Sequence, residues 1–118
     1  MRIVRQSDRG PAEQRVTVTG QVWFEPVLPV TDGTTIANVS FAPGARTFWH
    51  SHEGGQVLQI VSGHGLICPD GEQPSEIRAG DVVWIPAGER HWHGAAADSP
   101  MTHLAISLGT THWAEEVV

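Results

Sequence analysis

Short runs of alternating hydrophobic and polar residues, separated by glycine and proline, extend along the chain from residue 15 to residue 108. No segment shows the periodicity of a long amphipathic helix. Strands of this length with turn residues between them predict an all-β sandwich or barrel. We expect a tight hairpin at SGHG (62–65) and turns at 42–45 and 86–89. The runs are RVTVTG, QVWFE, TTIANVSF, RTFWHSH, QVLQIVSG, HGLICP, SEIRAG, DVVWIP, HWHGAA and MTHLAISL.

Alternation within these runs assigns side chains to the two faces of each strand, because successive residues of a strand point to opposite sides. In the run 46–52, His50 and His52 are predicted to share a face with Phe48. In the run 91–95, His91 and His93 share a face. The pattern therefore places histidines in pairs on two strands. In the run 101–107, His103 is predicted to share a face with Met101, Ala105 and Ser107.

Composition narrows the function classes. The chain has 118 residues, which we expect to form one domain spanning 1–118. The net charge is −6 with no basic patch, so nucleic acid and anionic membranes are unfavourable partners. The chain contains no lysine, which excludes Schiff-base chemistry on a lysine. The lone cysteine excludes an internal disulfide, and no signal peptide or membrane span is visible, so we expect a soluble, cytoplasmic protein.

The segment HSHEGGQ (50–56) carries the strongest chemical signal. His-x-His on a strand presents two imidazoles to one side, and imidazole binds Mn, Fe, Co, Ni, Cu and Zn. Glu53 directly follows His52 and so points away, whereas Gln56 begins the next run and can return to the site. The candidate metal ligands are His50, His52, Gln56 and His91.

These residues fit two motifs of the small single-domain cupins, which the chain resembles. The first motif, G-x5-H-x-H-x3-4-E-x6-G, runs here from Gly44 to Gly63 with Gln56 in place of Glu. The second, G-x5-P-x-G-x2-H-x3-N, runs from Gly80 through His91, with Ala95 in place of Asn. The resemblance covers about residues 34–108. It implies an all-β fold, a double-stranded β-helix (jelly-roll) barrel with the metal inside.

The stretches FAPGARTFWHSH, GDVVWIPAGERHWHGAA and MTHLAI further resemble the bacterial cupin hydroxynitrile lyases. That resemblance implies a glutamine as the fourth metal ligand, manganese as the metal, and His103 as the catalytic base. His93, two residues after His91, is predicted to line the pocket or to orient a ligand. The residues predicted to line the substrate pocket are Ala37, Val39, Phe48 and Ser107.

The glutamine ligand itself bears on the chemistry. Three neutral imidazoles and one neutral amide leave a divalent ion with its full charge, which strengthens it as a Lewis acid. A glutamate can also accept protons in metal-dependent dioxygenases, and a glutamine cannot. The glutamine therefore favours polarisation of a substrate oxygen over oxygenase chemistry. The resemblance to the hydroxynitrile lyases implies a lyase that cleaves or forms cyanohydrin-like alcohols, with Mn²⁺ favoured and Fe, Ni, Co, Cu or Zn as alternatives.

Three other functions are also consistent with the sequence. They are a metal-dependent dioxygenase or oxidative-cleavage enzyme, a non-catalytic module that binds a small molecule, and an isomerase or epimerase. The expected partner is a small-molecule substrate. Because a small barrel exposes an apolar outer sheet face, we also expect a homodimer or homotetramer.

Overall fold

Twelve β-strands and a 3₁₀ helix at Gln6–Asp8 form the structure, a computed structural model that describes residues 1–118. The all-β prediction is confirmed, and the predicted turns at 42–45 and 86–89 lie between strands. The structure contains no helix with the length and hydropathy needed to span a membrane. The strands are β1 (Glu13–Gln14), β2 (Val18–Thr19), β3 (Val22–Thr31), β4 (Thr34–Phe41), β5 (Arg46–Thr47), β6 (His50–His52), β7 (Gly55–Pro69), β8 (Ser75–Arg78), β9 (Val82–Ile85), β10 (His91–Ala95), β11 (Met101–Leu108) and β12 (Thr111–Trp113).

The strands form two curled antiparallel sheets that share β7. The first half of β7 pairs with β11 and β9, and the sheet continues from β11 through β4 and β3 to β1. The second half of β7 pairs with β10 and β8, and the sheet continues from β10 to β5 and β2 and to β6 and β12. This is the double-stranded arrangement that the sequence motifs predict.

The hairpin predicted at residues 62–65 is wrong, because these residues lie inside β7. Gly63 has a φ of +72°, a conformation that L-residues rarely adopt. The strand therefore continues through Gly63 and changes partners there. Glycine permits a turn, and it also permits a strand to pass from one sheet to another. The sequence pattern alone therefore does not distinguish a turn from a change of sheet.

The core lies between the two curled sheets and comprises twelve buried residues. Alternation accounts for it, because Phe41, Leu58, Ile60 and Met101 occupy inward positions and are at most 2% exposed. Burying a side chain of this size stabilises the fold by about 1.5–3 kcal/mol. Three of the twelve core residues, Val22, Val39 and Ala105, also line a cavity.

Gly63→Ala is expected to lower the free energy of unfolding by at least about 3 kcal/mol, because two penalties add. A left-handed conformation alone costs an alanine about 1–2 kcal/mol. In addition, a Cβ on Gly63 would collide with the backbone carbonyl oxygen of Pro100. Urea unfolding followed by tryptophan fluorescence measures the loss.

Gly71→Ala is the matched control for this substitution. Gly71 has a φ of +81°, and a Cβ there would meet no atom within 4 Å. This variant carries the left-handed penalty alone. Equal losses in the two variants would show that the contact at Pro100 relaxes without cost.

Candidate functional site

Two neighbouring strands of the second sheet bring the first histidines together. β6 pairs with β10, and His50 lies directly opposite His91 in that pairing. The two imidazole centroids are 4.3 Å apart, and the His52 centroid is 5.1 Å from that of His50. His50, His52 and His91 therefore lie close together in the structure, as predicted, and all three side chains are buried.

Gln56 approaches this group from the start of β7, as the sequence predicts. Its side chain is 5% exposed, and its Oε1 lies 3.3 Å from Nε2 of His91. Its Nε2 donates to the hydroxyl of Ser107 on β11, at 3.0 Å. Glu53 is exposed instead, and its carboxylate lies 2.8 Å from Nε2 of His112. The glutamine and not the adjacent glutamate faces the histidines.

Hydrogen bonds fix which imidazole nitrogen is free. Nδ1 of His50 lies 2.9 Å from the carbonyl oxygen of Phe48, and Nδ1 of His91 lies 2.9 Å from that of Glu89. A carbonyl oxygen only accepts, so both Nδ1 atoms carry the proton and both Nε2 atoms keep a lone pair. Nδ1 of His52 lies 2.9 Å from the hydroxyl of Thr111, and its buried Nε2 has no partner in the chain.

A second histidine pair lies deeper. His93 and His103 are 3% and 0% exposed, and Nε2 of His103 lies 3.1 Å from Nδ1 of His93. Nε2 of His93 and Nδ1 of His103 are buried without a partner. The amide N–H of His93 donates to the hydroxyl of Thr47, at 3.2 Å. Both histidines also contact the ring of Phe41, with centroids 5.7 and 5.3 Å apart.

His50, His91 and His93 form the three-histidine group that can hold a metal ion, with ligand atoms within 4.8 Å of one another. This set differs from the predicted one, which takes His52 and Gln56 in place of His93. His52 and Gln56 lie beside the group, and the unpartnered nitrogen of His52 suits a ligand. His50 and His91 belong to both sets.

Burial lowers the pKa values of these histidines. The pKa of His50 falls to about 3, mainly through burial and next through the neighbouring His91. The pKa of His52 falls to about 4 for the same two reasons. Burial also lowers the pKa of His103 to about 4, and it lowers those of His91 and His93. The imidazoles are therefore neutral near pH 7, the form that ligates metals.

Four of the five buried histidines, His50, His52, His93 and His103, line a cavity of about 240 Å³ that has no carboxylate in its lining. Of the predicted pocket residues, Ala37, Val39 and Ser107 line it, and Phe48 does not. His91 lies behind the lining, against His50 and Gln56. The full lining comprises Arg15, Val18, Val22, Phe24, Thr35, Ala37, Val39, Thr47, His50, His52, Gln56, His93, His103, Ala105, Ser107, Thr111 and Trp113.

The prediction for Phe48 is wrong because the run 46–52 is not one strand. It divides into β5 and β6, with a bend at residues 48–49. The N–H groups there bond to outer segments: Phe48 to the carbonyl of Thr17 at 2.9 Å, and Trp49 to that of Glu115 at 3.0 Å. The bend breaks the alternation, so Thr47 takes the place predicted for Phe48.

Sequence reasoning missed the parts of the cavity that come from the two chain ends. Val22 and Phe24 alternate on β3 opposite Phe41 and Val39, and this register could have identified them. Trp113, on β12, packs against His50 with centroids 4.5 Å apart. No local motif marks Trp113, because its place depends on the pairing of β12 with β6.

Comparison with known proteins agrees with the fold. The cupin domain family matches residues 37–107. An (R)-mandelonitrile lyase of Granulicella tundricola is 46% identical over 85% of this chain and 76% of its own length. The crystal structure of a cupin-like protein from Thermotoga maritima superimposes with a TM-score of 0.84 at 39% identity, covering 93% of this chain and 88% of that one.

A more distant similarity links the chain to acireductone dioxygenase of Bacillus thuringiensis. That protein is 29% identical over 54% of this chain and 40% of its own length. The family match spans most of the two sheets and includes all four predicted metal ligands. Sequence motifs, fold and relatives therefore agree that this chain belongs to the cupin family.

Proposed function

We propose that this chain is a metal-dependent lyase that forms or cleaves cyanohydrin-like alcohols. One observation carries the proposal: His103, buried and equipped with an unpartnered nitrogen, lines the same cavity as the histidine group that can hold a metal. The similarity to an (R)-mandelonitrile lyase supports the same reaction class.

The donor set fits a divalent transition metal. Neutral imidazole nitrogens and an amide oxygen are acceptable ligands for Mn²⁺ and for Fe, Co, Ni, Cu and Zn. We propose His50, His52, Gln56 and His91 as the ligands, because their hydrogen bonds leave Nε2 or Oε1 free. When bound, the metal would act as a Lewis acid on the substrate oxygen. We favour Mn²⁺ by resemblance to the hydroxynitrile lyases.

We assign the proton transfers to His103, with His93 as its hydrogen-bond partner. In cyanohydrin cleavage, Nδ1 of His103 accepts the hydroxyl proton, while Nε2–H donates to Nδ1 of His93. The C–CN bond then breaks, its electron pair leaves with cyanide, and an aldehyde or ketone forms. The proton passes from His103 to cyanide, which departs as HCN. His93 acts as a positioning residue, because it holds His103 in one orientation.

Formation of optically active mandelonitrile from benzaldehyde and HCN tests the proposal. The metal-loaded protein is expected to form one enantiomer in excess, and chelator treatment is expected to abolish the excess. Restoring Mn²⁺ should recover it. A racemic product at the background rate, from protein shown to contain metal, would refute the lyase.

The similarity to an acireductone dioxygenase favours a second candidate, an oxygenase of the same fold. Its expected signature is O₂ uptake by the iron-loaded protein in the presence of an acireductone. The glutamine at position 56 weighs against it, because an amide cannot accept a proton as a glutamate ligand can. An oxygen electrode separates the two candidates.

Ser107→Ala is expected to weaken metal binding about tenfold, because partners that orient a ligand affect metal affinity by about 10–100-fold. Ser107 accepts from the amide nitrogen of Gln56 and so turns the amide oxygen toward His91. Competition with a coloured chelator measures the affinity. Ser107→Thr retains the hydroxyl and should bind metal almost as the wild type does. Unchanged affinity in both variants would remove this role of Ser107.

We also propose that the protein forms a homodimer or homotetramer. The outer face of the first sheet exposes Val61, Val82 and Trp84, which are 56%, 66% and 73% exposed. Large apolar side chains grouped on a sheet face are typical of association surfaces. Light scattering should give at least twice the chain mass, and a monomer mass would contradict the proposal.

A further inference from the structure

Arg15 contributes a charged group to the cavity that the proposed reaction does not use. It lies between β1 and β2, and its N–H donates to the carbonyl of Val22 at 3.0 Å. Its guanidinium carbon lies 3.6 Å from the centroid of the Phe24 ring. Both side chains line the cavity, so this guanidinium faces the space that a substrate would occupy.

The charge on Arg15 has no partner within the chain. Arg9, Arg78 and Arg90 each form ion pairs with carboxylates. The side chain of Arg15 forms neither an ion pair nor a hydrogen bond, although it is half-buried and the cavity lining contains no Asp or Glu. Burial lowers the pKa of Arg15 and outweighs the opposing effect of Glu13. Arg15 nevertheless remains charged at neutral pH.

The geometry suits an anion with two oxygens. A guanidinium presents five N–H donors in a plane, and its edge matches a carboxylate with two parallel hydrogen bonds. Stacking on Phe24 occupies one face of that plane and leaves the edge free to donate. Because partial burial weakens competition from water, an anion from the ligand would supply the missing partner.

We propose that the cavity selects substrates that carry a carboxylate, and that Arg15 binds this carboxylate while the histidine group faces the reacting carbon. The choice of a carboxylate-bearing cyanohydrin, aldehyde or ketone rests on the proposed function. Carboxylate binding by Arg15 does not, since it needs neither the metal nor the reaction.

Calorimetric titration of the metal-free protein at pH 8 tests the carboxylate site. Without the metal, the ligand cannot bind at the metal site. The buried histidines are neutral at this pH, so Arg15 is then the cation among the residues that line the cavity. The ligands are 4-(hydroxymethyl)benzoate and its neutral counterpart, 4-(hydroxymethyl)benzamide. The wild type is expected to bind the carboxylate at least about tenfold more tightly, as a charge-assisted hydrogen bond allows.

Arg15→Gln should reduce this preference to near unity, and Arg15→Lys should retain part of it. Arg46→Gln is the matched control, since the guanidinium of Arg46 lies over the ring of Trp92 at 4.6 Å and outside the cavity lining. It should leave the preference unchanged. Equal affinity for the two ligands in the wild type, or a preference that survives in folded Arg15→Gln, would overturn the proposal.

A second measurement separates this proposal from the proposed function. The metal-loaded protein is assayed for cyanohydrin formation from 4-formylbenzoate and from benzaldehyde. A higher kcat/KM for the carboxylate, lost in Arg15→Gln with benzaldehyde turnover retained, supports both proposals. Turnover of neither aldehyde would end the lyase proposal, while the titration would still decide whether Arg15 binds a carboxylate.

Discussion

His103→Ala is expected to lower kcat/KM for cyanohydrin cleavage by about 10²–10⁴-fold, the usual contribution of a positioned general base. The base must come from this residue because the cavity lining holds no carboxylate and Gln56 is not basic. The nearest alternative, His93, faces His103 through Nδ1. Steady-state rates at pH 7 measure the loss.

Metal content separates loss of the base from loss of the site. His103 is not in the three-histidine group, so His103→Ala should retain metal, whereas His50→Ala should lose it. His64→Ala is the matched control, because His64 lies 3.7 Å from the carboxylate of Asp98 and outside the cavity lining. It should retain full activity. Wild-type kcat/KM in metal-loaded His103→Ala would refute the base.

Acidification is expected to destabilise the metal-free protein steeply as the pH falls from about 6.5 to about 4. The pKa values of His50, His52 and His103 in the fold lie at about 3, 4 and 4, below the value of about 6.5 in the unfolded chain. As the pH falls through 6.5, the unfolded chain binds protons that the fold excludes. Each such histidine then costs about 1.4 kcal/mol of stability per pH unit.

The stability contributed by the neutral histidines is thus fully present above pH 6.5 and declines below it. Urea unfolding midpoints of the metal-free protein at pH 7.5, 6.5 and 5.5 measure the effect. His103→Asn removes one titrating group and should flatten the pH dependence. A midpoint that does not change between pH 7.5 and 5.5 would show that the buried imidazoles protonate without cost.

Much of the fold and the site could be predicted from the sequence, because both rest on local spacing. His50 and His52 share a face of one short strand, and the motif glycines Gly44, Gly80 and Gly88 lie in the turns between strands. Alternation and the motif spacing both favour Gln56 over Glu53, and the structure places Gln56 beside His91. These inferences hold wherever a strand stays regular over the residues concerned.

The failures occur where backbone geometry departs from a regular strand. Alternation predicts Phe48 on the cavity because the bend at residues 48–49 leaves no mark in the pattern of hydrophobic and polar residues. The glycines in residues 62–65 predict a hairpin, but glycine permits both a turn and a change of sheet. Trp113 reaches the cavity only through the pairing of β12 with β6, which are distant in sequence, and no local pattern encodes this pairing.

The sharing of β7 between both sheets has a consequence for local opening. β10, which carries His91, and β11, which carries His103, pair with successive halves of this one strand. Neither β10 nor β11 can separate without breaking hydrogen bonds to β7, with which the other strand also pairs. The amides of β10 and β11 are therefore expected to exchange with solvent in the same cooperative unit. His91 and His103 would then keep their relative positions until the whole unit opens.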